Sequence, residues 1–284
     1  MIIMSSNQWK CDKNSPDWAA RGKDCSAEGR VGGLARAYQL VTPDILGIQE
    51  ASVHMTELLM QRMAVYEHDG SQVHYELITG GDTPIIYRDD KLTLIESGFF
   101  RYSESISGFE GSFNNGGTKS YTFGVFEDKA TGKRIAMMST HLWWKSTHPE
   151  SKDYQPHSAE ARAYQINQAL TRLEEVMAKY SCPGVLVGDL NAAIGSKCLD
   201  TAHDMGWNDA FYSATGNRAD TRGHHPCYAW GYEHADAGVF TQAIDHILVK
   251  GGSALKVVDY LRVDDEWFDC ISDHYPVYAT VELI

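Results

Sequence analysis

Six short apolar runs in this 284-residue chain stop at an acid, an amide or a histidine. They are the runs ending at Asn7, at Glu50 after Ile48-Gln49, at His141 in Ser139-Thr140-His141-Leu142, at Asp189 with Asn191 after Val185-Leu186-Val187-Gly188, and at Asp245-His246 after Ala243-Ile244. The sixth is Asp273-His274, just before Tyr275-Pro276-Val277. A carboxylate can accept a proton or hold a cation, a carboxamide can donate to a phosphoryl oxygen or to an attacking water, and an imidazole can move a proton near neutral pH. Any one of these groups alone is more often a turn former, a helix cap or a satisfied core residue. If the runs are strands, their ends converge on one rim of a sheet, where loops build sites, and a chance origin for the whole set becomes hard to sustain. Asp189 and Asn191 stand two apart, so strand geometry continued through them would put both side chains on one face. Gly-Asp-x-Asn is also a good turn sequence.

Apolar and turn patterns supply the elements that must carry these groups. Ile2 to Asn7 reads as a strand and Gln8 to Glu28 as a long polar surface loop. Val31, Leu34, Ala35, Tyr38 and Val41 repeat at helical spacing from Arg30 until Thr42-Pro43 stops them. Asp44 to Glu50 reads as a buried strand, and Met55, Leu58, Leu59 and Met63 mark a second helix. The middle predicts strands over Val73–Ile78, Pro84–Arg88, Leu92–Glu96, Tyr121–Phe126 and Arg134–Thr140, with a hairpin turn over Asp128–Gly132. Strands in succession without helices between them imply antiparallel pairing. Ala159, Ala163, Ile166, Leu170, Leu173 and Met177 define the clearest helix, with Ser158 as its N-cap. It leads into the Val185–Asp189 strand. A short helix near Lys197 and strands over Ala243–Val249, Ala254–Val263 and Val277–Leu283 complete the chain. The expected class is α+β, a sandwich of two packed sheets with helices outside.

The length and a hydrophobic content of 43% support one large domain over residues 1–284. With 25 Lys plus Arg against 38 Asp plus Glu the formal charge is -13, a field that opposes capture of duplex nucleic acid. Divalent cations in a carboxylate-rich cleft would reverse that sign locally, so the exclusion is not absolute. Cys11, Cys25, Cys182, Cys198, Cys227 and Cys270 form no C-x-x-C pair, which argues against a zinc knuckle and for free thiols. Cys11 and Cys25 could pair in an oxidising compartment. Met1-Ile2-Ile3-Met4 runs straight into polar residues, so no signal-peptide core and no membrane span is read. As written the chain reads as cytoplasmic and monomeric; a secreted protein trimmed of its leader would look the same.

Taken in order, Asn7, Ile48-Gln49-Glu50, Thr140-His141-Leu142, Gly188-Asp189-Leu190-Asn191-Ala192, Ile244-Asp245-His246-Ile247 and Ser272-Asp273-His274-Tyr275-Pro276-Val277 resemble the motif series of the endonuclease/exonuclease/phosphatase superfamily. The resemblance runs from the first strand to the last. It implies a four-layer α/β sandwich of the deoxyribonuclease I type and a divalent-metal-dependent hydrolase of phosphate esters, using Mg²⁺ with Mn²⁺ as a substitute. Carried over by position, Glu50 resembles the principal metal carboxylate, with Asn7 beside it and Asp273 completing the site. Asp189 looks like the group that orients or deprotonates water, and Asn191 like its phosphoryl-holding neighbour. His274, oriented by Asp245, would face the phosphate, and His141 would donate to the phosphate or the leaving group. Either Asp189 or the Asp245 and His274 pair could be the general base; Asp189 is the working assignment.

Several residues outside that series invite a role. Trp143 and Trp144 follow His141 and could wall a cleft, although packing of one in the core is as good a reading. Lys119 and Arg162 are cations to examine for phosphate contact, against the plainer reading of surface charges. His224-His225 with Cys227 reads as loop rather than metal cluster, and Asn114-Asn115-Gly116-Gly117 as a turn. The expected substrate is a small or single-stranded phosphate ester. The alternatives are an endonuclease of DNA or RNA and, in a different class, a binding module of the same fold without chemistry.

Overall fold

A computed structural model of the protein describes residues 1–10, 20, 22, 24–102, 113, 119–219 and 243–284. The strands are β1 (Ile2–Asn7), β2 (Ile45–Gln49), β3 (Val65–His68), β4 (Ser71–Ile78), β5 (Ile85–Arg88), β6 (Leu92–Arg101), β7 (Ser120–Asp128), β8 (Arg134–His141), β9 (Gly184–Asp189), β10 (Asn208–Asp209), β11 (Asp245–Lys250), β12 (Leu255–Arg262) and β13 (Val277–Leu283). The helices are α1 (Ala27–Val41), α2 (Val53–Met63), α3 (Ser158–Tyr180), α4 (Lys197–Asp204) and α5 (Ala210–Ser213). Seven strands form one sheet in the order β12-β13-β1-β2-β5-β4-β3, and six form the other in the order β10-β11-β9-β8-β7-β6.

The layers follow from which faces are apolar. Ile3, Ile45, Ile85, Val185, Val187, Ile247 and Ala279 interleave between the sheets. Leu34 and Tyr38 of α1 and Leu59 of α2 cover the outside of the first sheet, packing on Met4, Leu46 and Ile48. Ile166, Leu170 and Leu173 of α3 cover the outside of the second, packing on Met138, Leu186 and Leu248. This is the four-layer sandwich the motif series implies. Two glycines permit close approaches, Gly47 between the sheets and Gly188 between neighbouring strands β8 and β9. A Cβ at Gly47 would lie 2.4 Å from Val187 Cγ2 across the sheet interface, and one at Gly188 would lie 2.1 Å from the Thr140 carbonyl oxygen.

The sheets are mainly antiparallel, as expected, with β1 paired to β2 and β8 to β9 in parallel. In both cases a helix-bearing crossover joins the partners, which is what parallel pairing demands. The first helix begins at Ala27, because Ser26 caps it by accepting from the Gly29 amide at 3.1 Å. The polar stretch expected as a surface loop over Gln8–Glu28 is therefore tied inward where it is described, with Gln8, Trp9 and Cys25 buried. Ser158 is not the cap of α3. His157 takes that position with a left-handed backbone, and the Ser158 hydroxyl donates to the Gln155 carbonyl at 2.8 Å. Strand β3 has no buried residue, so no apolar run in the sequence marks it. Cys182 and Cys198 carry free thiols; Cys11, Cys227, His224, His225 and the Asn114–Gly117 turn lie outside the described residues. Among those described, no helix is long and apolar enough to cross a membrane.

Candidate active site

Strand register does most of the assembly. Asp189, the last residue of β9, stands opposite His141 at the end of β8 on one side and opposite Asp245 at the start of β11 on the other. In the facing sheet Asn7 ends β1 opposite Gln49, the residue before Glu50. The two rims are stitched together by buried polar groups. Gln49 Nε2 donates to Ser139 Oγ at 3.2 Å, Ser139 Oγ donates to the Ile48 carbonyl at 2.9 Å, and Ser5 Oγ donates to Gln49 Oε1 at 3.2 Å. A buried polar group left unmatched costs more than a matched one gains, so these bonds fix one inter-sheet register at this end.

Three nitrogen groups gather on one atom, Asp189 Oδ2. Asn7 Nδ2 donates to it at 3.0 Å, and His141 Nε2 and His274 Nε2 lie 3.5 and 3.8 Å away. Asp189 Oδ1 accepts from the Asn191 amide at 2.8 Å. Strand geometry does not continue through Asp189. Asn191 has a left-handed backbone, φ 48°, and meets Asp189 through the turn its own sequence favours. The turn reading and the site reading of Gly188-Asp189-Leu190-Asn191 thus describe the same structure. Asn191 Nδ2 donates to the Leu142 carbonyl at 3.2 Å, joining this turn to the segment after His141.

His274 Nδ1 is 2.7 Å from Asp245 Oδ2, and its Nε2 is 3.8 Å from Asp273 Oδ1. Burial opposes charge on this imidazole, but Asp245, Asp273 and Asp189 outweigh it and hold its pKa well above the ordinary 6.5. Asp189 is buried too, which works to raise its pKa, yet His274, His141 and Lys119 together keep it below the ordinary value. Burial raises the Asp245 carboxyl against the pull of His274. At neutral pH the group is therefore an ionised acceptor, Asp189, beside a protonated donor, His274.

Charge balance is the test for a metal. Glu50, Asp82, Asp189, Asp245 and Asp273 gather around Lys119, His141 and His274, and Asp245 Oδ1 is buried with no hydrogen-bond partner among the described residues. Ligand atoms of Asp189, Asp245 and His274 all lie within 4.8 Å of one another, but a protonated His274 offers no lone pair, so it is the carboxylate oxygens around it that count towards a cation. An excess of buried hard oxygen donors suits a divalent cation. Glu50 is half-buried, has φ 54° and accepts from the Lys10 amide at 3.2 Å through Oε2. Asn7 Oδ1 accepts from the Trp9 amide at 2.9 Å and keeps a second lone pair.

The remaining expected residues divide. Lys119 is buried, not a surface charge, and burial lowers its pKa from 10.5 to about 8 against the pull of Asp82, Asp189 and Glu50. Trp144 is 39% exposed, whereas Trp143 turns inward, edge-on to Phe113 with ring centroids 6.1 Å apart, so it walls no cleft. Arg162 is also buried, and its Nη1 donates to the carbonyls of Trp143 and Lys145 at 3.1 and 2.8 Å.

Four residues were not anticipated for these roles. Asp82 lies 3.4 Å from His141 Nδ1 and accepts from Ser120 Oγ at 2.7 Å. Its only trace in the sequence was a Gly80-Gly81-Asp82 turn between two strands. Ser272 Oγ donates to the Asn7 carbonyl at 2.7 Å, fixing the loop that carries Asp273 and His274. Fully buried Arg30 donates to the carbonyls of Gln8, Trp9, Cys25 and Ile271, at 2.5 to 2.9 Å. It clamps the segment after Asn7 against the one before Asp273. His246 places Nδ1 2.7 Å from Asp209 Oδ2 and Nε2 2.9 Å from the Ala192 carbonyl. Both partners are acceptors, so both nitrogens donate and the ring is an imidazolium. Burial works against that charge, and Asp209 overcomes it and raises the pKa. The pair pins the turn that holds Asn191.

Residues 18–274 match the sequence model of the Endonuclease/Exonuclease/phosphatase family. No curated protein sequence matches. Among solved structures, the Bacteroides thetaiotaomicron mannosyl-6-phosphatase is similar over 100% of both chains, with a TM-score of 0.75 and 21% identity. The D. rerio TDP2 complexed with single-strand DNA product is similar over 99% of this chain and 98% of its own, with a TM-score of 0.66 and 16% identity. The human Nocturnin catalytic domain covers 100% of this chain with 93% of its own, at a TM-score of 0.64 and 15% identity.

Proposed function

The chain belongs to the endonuclease/exonuclease/phosphatase family, a family of phosphoester hydrolases, and we propose that it is a Mg²⁺-dependent hydrolase of small or single-stranded phosphate esters, working as one domain. The observation that carries this reading is the convergence of Asn7, His141 and His274 nitrogens on a single buried oxygen of ionised Asp189. Glu50, Asp273 and Asn7 would hold the metal, with Mn²⁺ as a substitute. When bound, the ion supplies positive charge to the phosphoryl oxygens and to the leaving oxygen.

Within that frame the chain's own residues divide the work. Asn7 and the Asn191 amide hold the Asp189 carboxylate by its two oxygens, which orients it to accept a proton from the attacking water. The water oxygen forms the new bond to phosphorus, the bond from phosphorus to the ester oxygen breaks, and a proton ends on the departing oxygen. His274, kept protonated by Asp245, faces the phosphoryl group as a donor, and this protonation supports Asp189 over His274 as the base. His141, between Asp82 and Asp189, donates to the phosphate or the leaving oxygen. Lys119 contributes a buried cation to the same anion. Arg30 is committed to backbone carbonyls and the chain carries a charge of -13, both of which argue against a duplex nuclease. A mannosyl-6-phosphatase and a TDP2 bound to single-strand DNA product share this fold, and both fit the proposed substrate range.

Turnover of p-nitrophenyl phosphate, bis-p-nitrophenyl phosphate and a panel of sugar phosphates, nucleotides and oligonucleotides, with Mg²⁺ and with EDTA, tests the reading. Metal-dependent release that disappears in Asp189→Asn is expected. No metal-dependent turnover anywhere in the panel refutes it and favours a silent binding module.

A further inference from the structure

Beside Asn191 opens a cavity of about 550 Å³ whose lining reverses the sign of the molecule. The chain carries 38 acids against 25 bases, yet among the described residues the cavity is lined by Lys145, Arg162 and Lys197 and by no aspartate or glutamate. Arg162 is 8% exposed, and Nη1 makes its only hydrogen bonds among the described residues, to two carbonyls. It pairs with no carboxylate there, and its Nε and Nη2 make no hydrogen bond to a described residue. A buried guanidinium with donors to spare is costly unless an anion or water meets them. The two lysines are held loosely: Lys145 lies 3.4 Å from Asp153 and Lys197 lies 3.3 Å from Glu160. Solvated pairs of this length contribute little and give way to a better anion. The first turn of α4, capped by Ser196, opens on the same space with the positive end of its dipole. Trp144 adds an indole, exposed and with Lys145 Nζ 3.9 Å from its ring centre.

We propose that this cavity receives the leaving group of the substrate, and that the leaving group is a ring bearing a second anionic group. Asn191 lines the cavity, and its side-chain amide donates to the Leu142 carbonyl beside His141, the donor to the leaving oxygen. Trp144 and Lys145 continue from there along the lining, so a leaving group departing past His141 enters here. The ring lies against Trp144, and Lys145, Lys197 and Arg162 take the second anion. The natural substrate is then a small bis-anionic ester, a sugar bisphosphate or a nucleoside bisphosphate. This assignment rests on the phosphoester hydrolase reading given above.

The test compares kcat/KM with Mg²⁺ for glucose 1,6-bisphosphate against glucose 6-phosphate, and for adenosine 3′,5′-bisphosphate against adenosine 5′-monophosphate. In at least one pair the bisphosphate is expected to be preferred by about tenfold or more, the value of a charge-assisted contact. The pair that shows it distinguishes sugar from nucleoside. In the Lys145→Gln/Lys197→Gln variant the preference falls towards unity, and Lys145→Arg/Lys197→Arg keeps it. Equal rates within both pairs, a preference unaffected by the Gln variant, or an oligonucleotide cleaved faster than either bisphosphate overturns the proposal. Calorimetric titration of Asp189→Asn with the same compounds reads the cavity without turnover. Lysine-dependent bisphosphate binding in a protein that hydrolyses nothing would sink the catalytic reading and keep the cavity; indiscriminate hydrolysis of mono- and bisphosphates would do the reverse.

Discussion

Lys119→Met should make the protein more stable and less active. Burial lowers the Lys119 pKa from 10.5 to about 8 even after the attraction of Asp82, Asp189 and Glu50 is counted. That difference corresponds to about 3 kcal/mol by which the folded state disfavours the ammonium at neutral pH. Methionine keeps the stem's packing and removes the charge, so about that much stability should return, a rise of about 6 °C or more in Tm for a chain of this size. The pH dependence has a definite sign. Between about pH 8 and 10.5 the unfolded chain holds a proton on this lysine that the folded chain has lost, so wild-type stability should gain over that window relative to the variant. The assay is urea unfolding in EDTA at several pH values, with m held in common, and kcat/KM with Mg²⁺ on whichever phosphate ester the panel identifies. Activity should fall by about a hundredfold, the usual cost of removing a charge aimed at the reacting group. A variant less stable than wild type at pH 7, with no convergence above pH 8, refutes the reasoning. The lysine would then be an ordinary partner of its carboxylates, and its burial would carry no penalty.

Three further outcomes follow from the same geometry. His246→Phe leaves buried Asp209 without its cation and frees the Ala192 carbonyl, so stability should fall by about 3 kcal/mol, with a loss of kcat from the loosened Asn191 turn. Thermal unfolding and steady-state kinetics check it, and an unchanged Tm counts against the imidazolium assignment. His246 and His274 both have folded pKa values above 6.5, so their contribution is complete below about pH 6.5 and is lost as pH rises through those folded values. His274→Gln should flatten that alkaline decline in EDTA-treated protein, and a decline of full size in the variant would contradict it. Gly188→Ala would put a methyl 2.1 Å from the Thr140 carbonyl oxygen, parting β8 from β9 beside His141 and Asp189. Circular dichroism melts should show a loss of several kcal/mol, about 3 or more, and equal stability would mean the strands have room the geometry denies.

Much of the fold was legible because its signals are local. The apolar alternation of Ile2 to Asn7 and Val185 to Asp189, the helical spacing of Leu34 and Tyr38, and the Asp128–Gly132 turn are each set by residues within a few positions of one another. Helix starts were read less well, since Ser26 and His157 act through capping geometry that depends on the preceding loop. Asp82 escaped notice because its role is a contact with His141, 59 positions away, that no neighbouring residue announces. Arg30 escaped for the same reason: its partners come from the stretches around Gln8, Cys25 and Ile271. Trp143 and Trp144 could not be told apart by type, and only the placement of Phe113 and Ala161 sends the first inward.

The sequence by itself therefore determined which polar groups end which strands, and in what order, because a strand's character and its termination are written in contiguous residues. Tertiary structure decided that Asn7, His141 and His274 meet on one oxygen of Asp189, that Asn191 joins them through a turn, and that Arg162 and two lysines line a cavity beside it. Those facts depend on parallel register across crossovers and on the packing of two sheets, where a shift of one residue would turn each group to the opposite face.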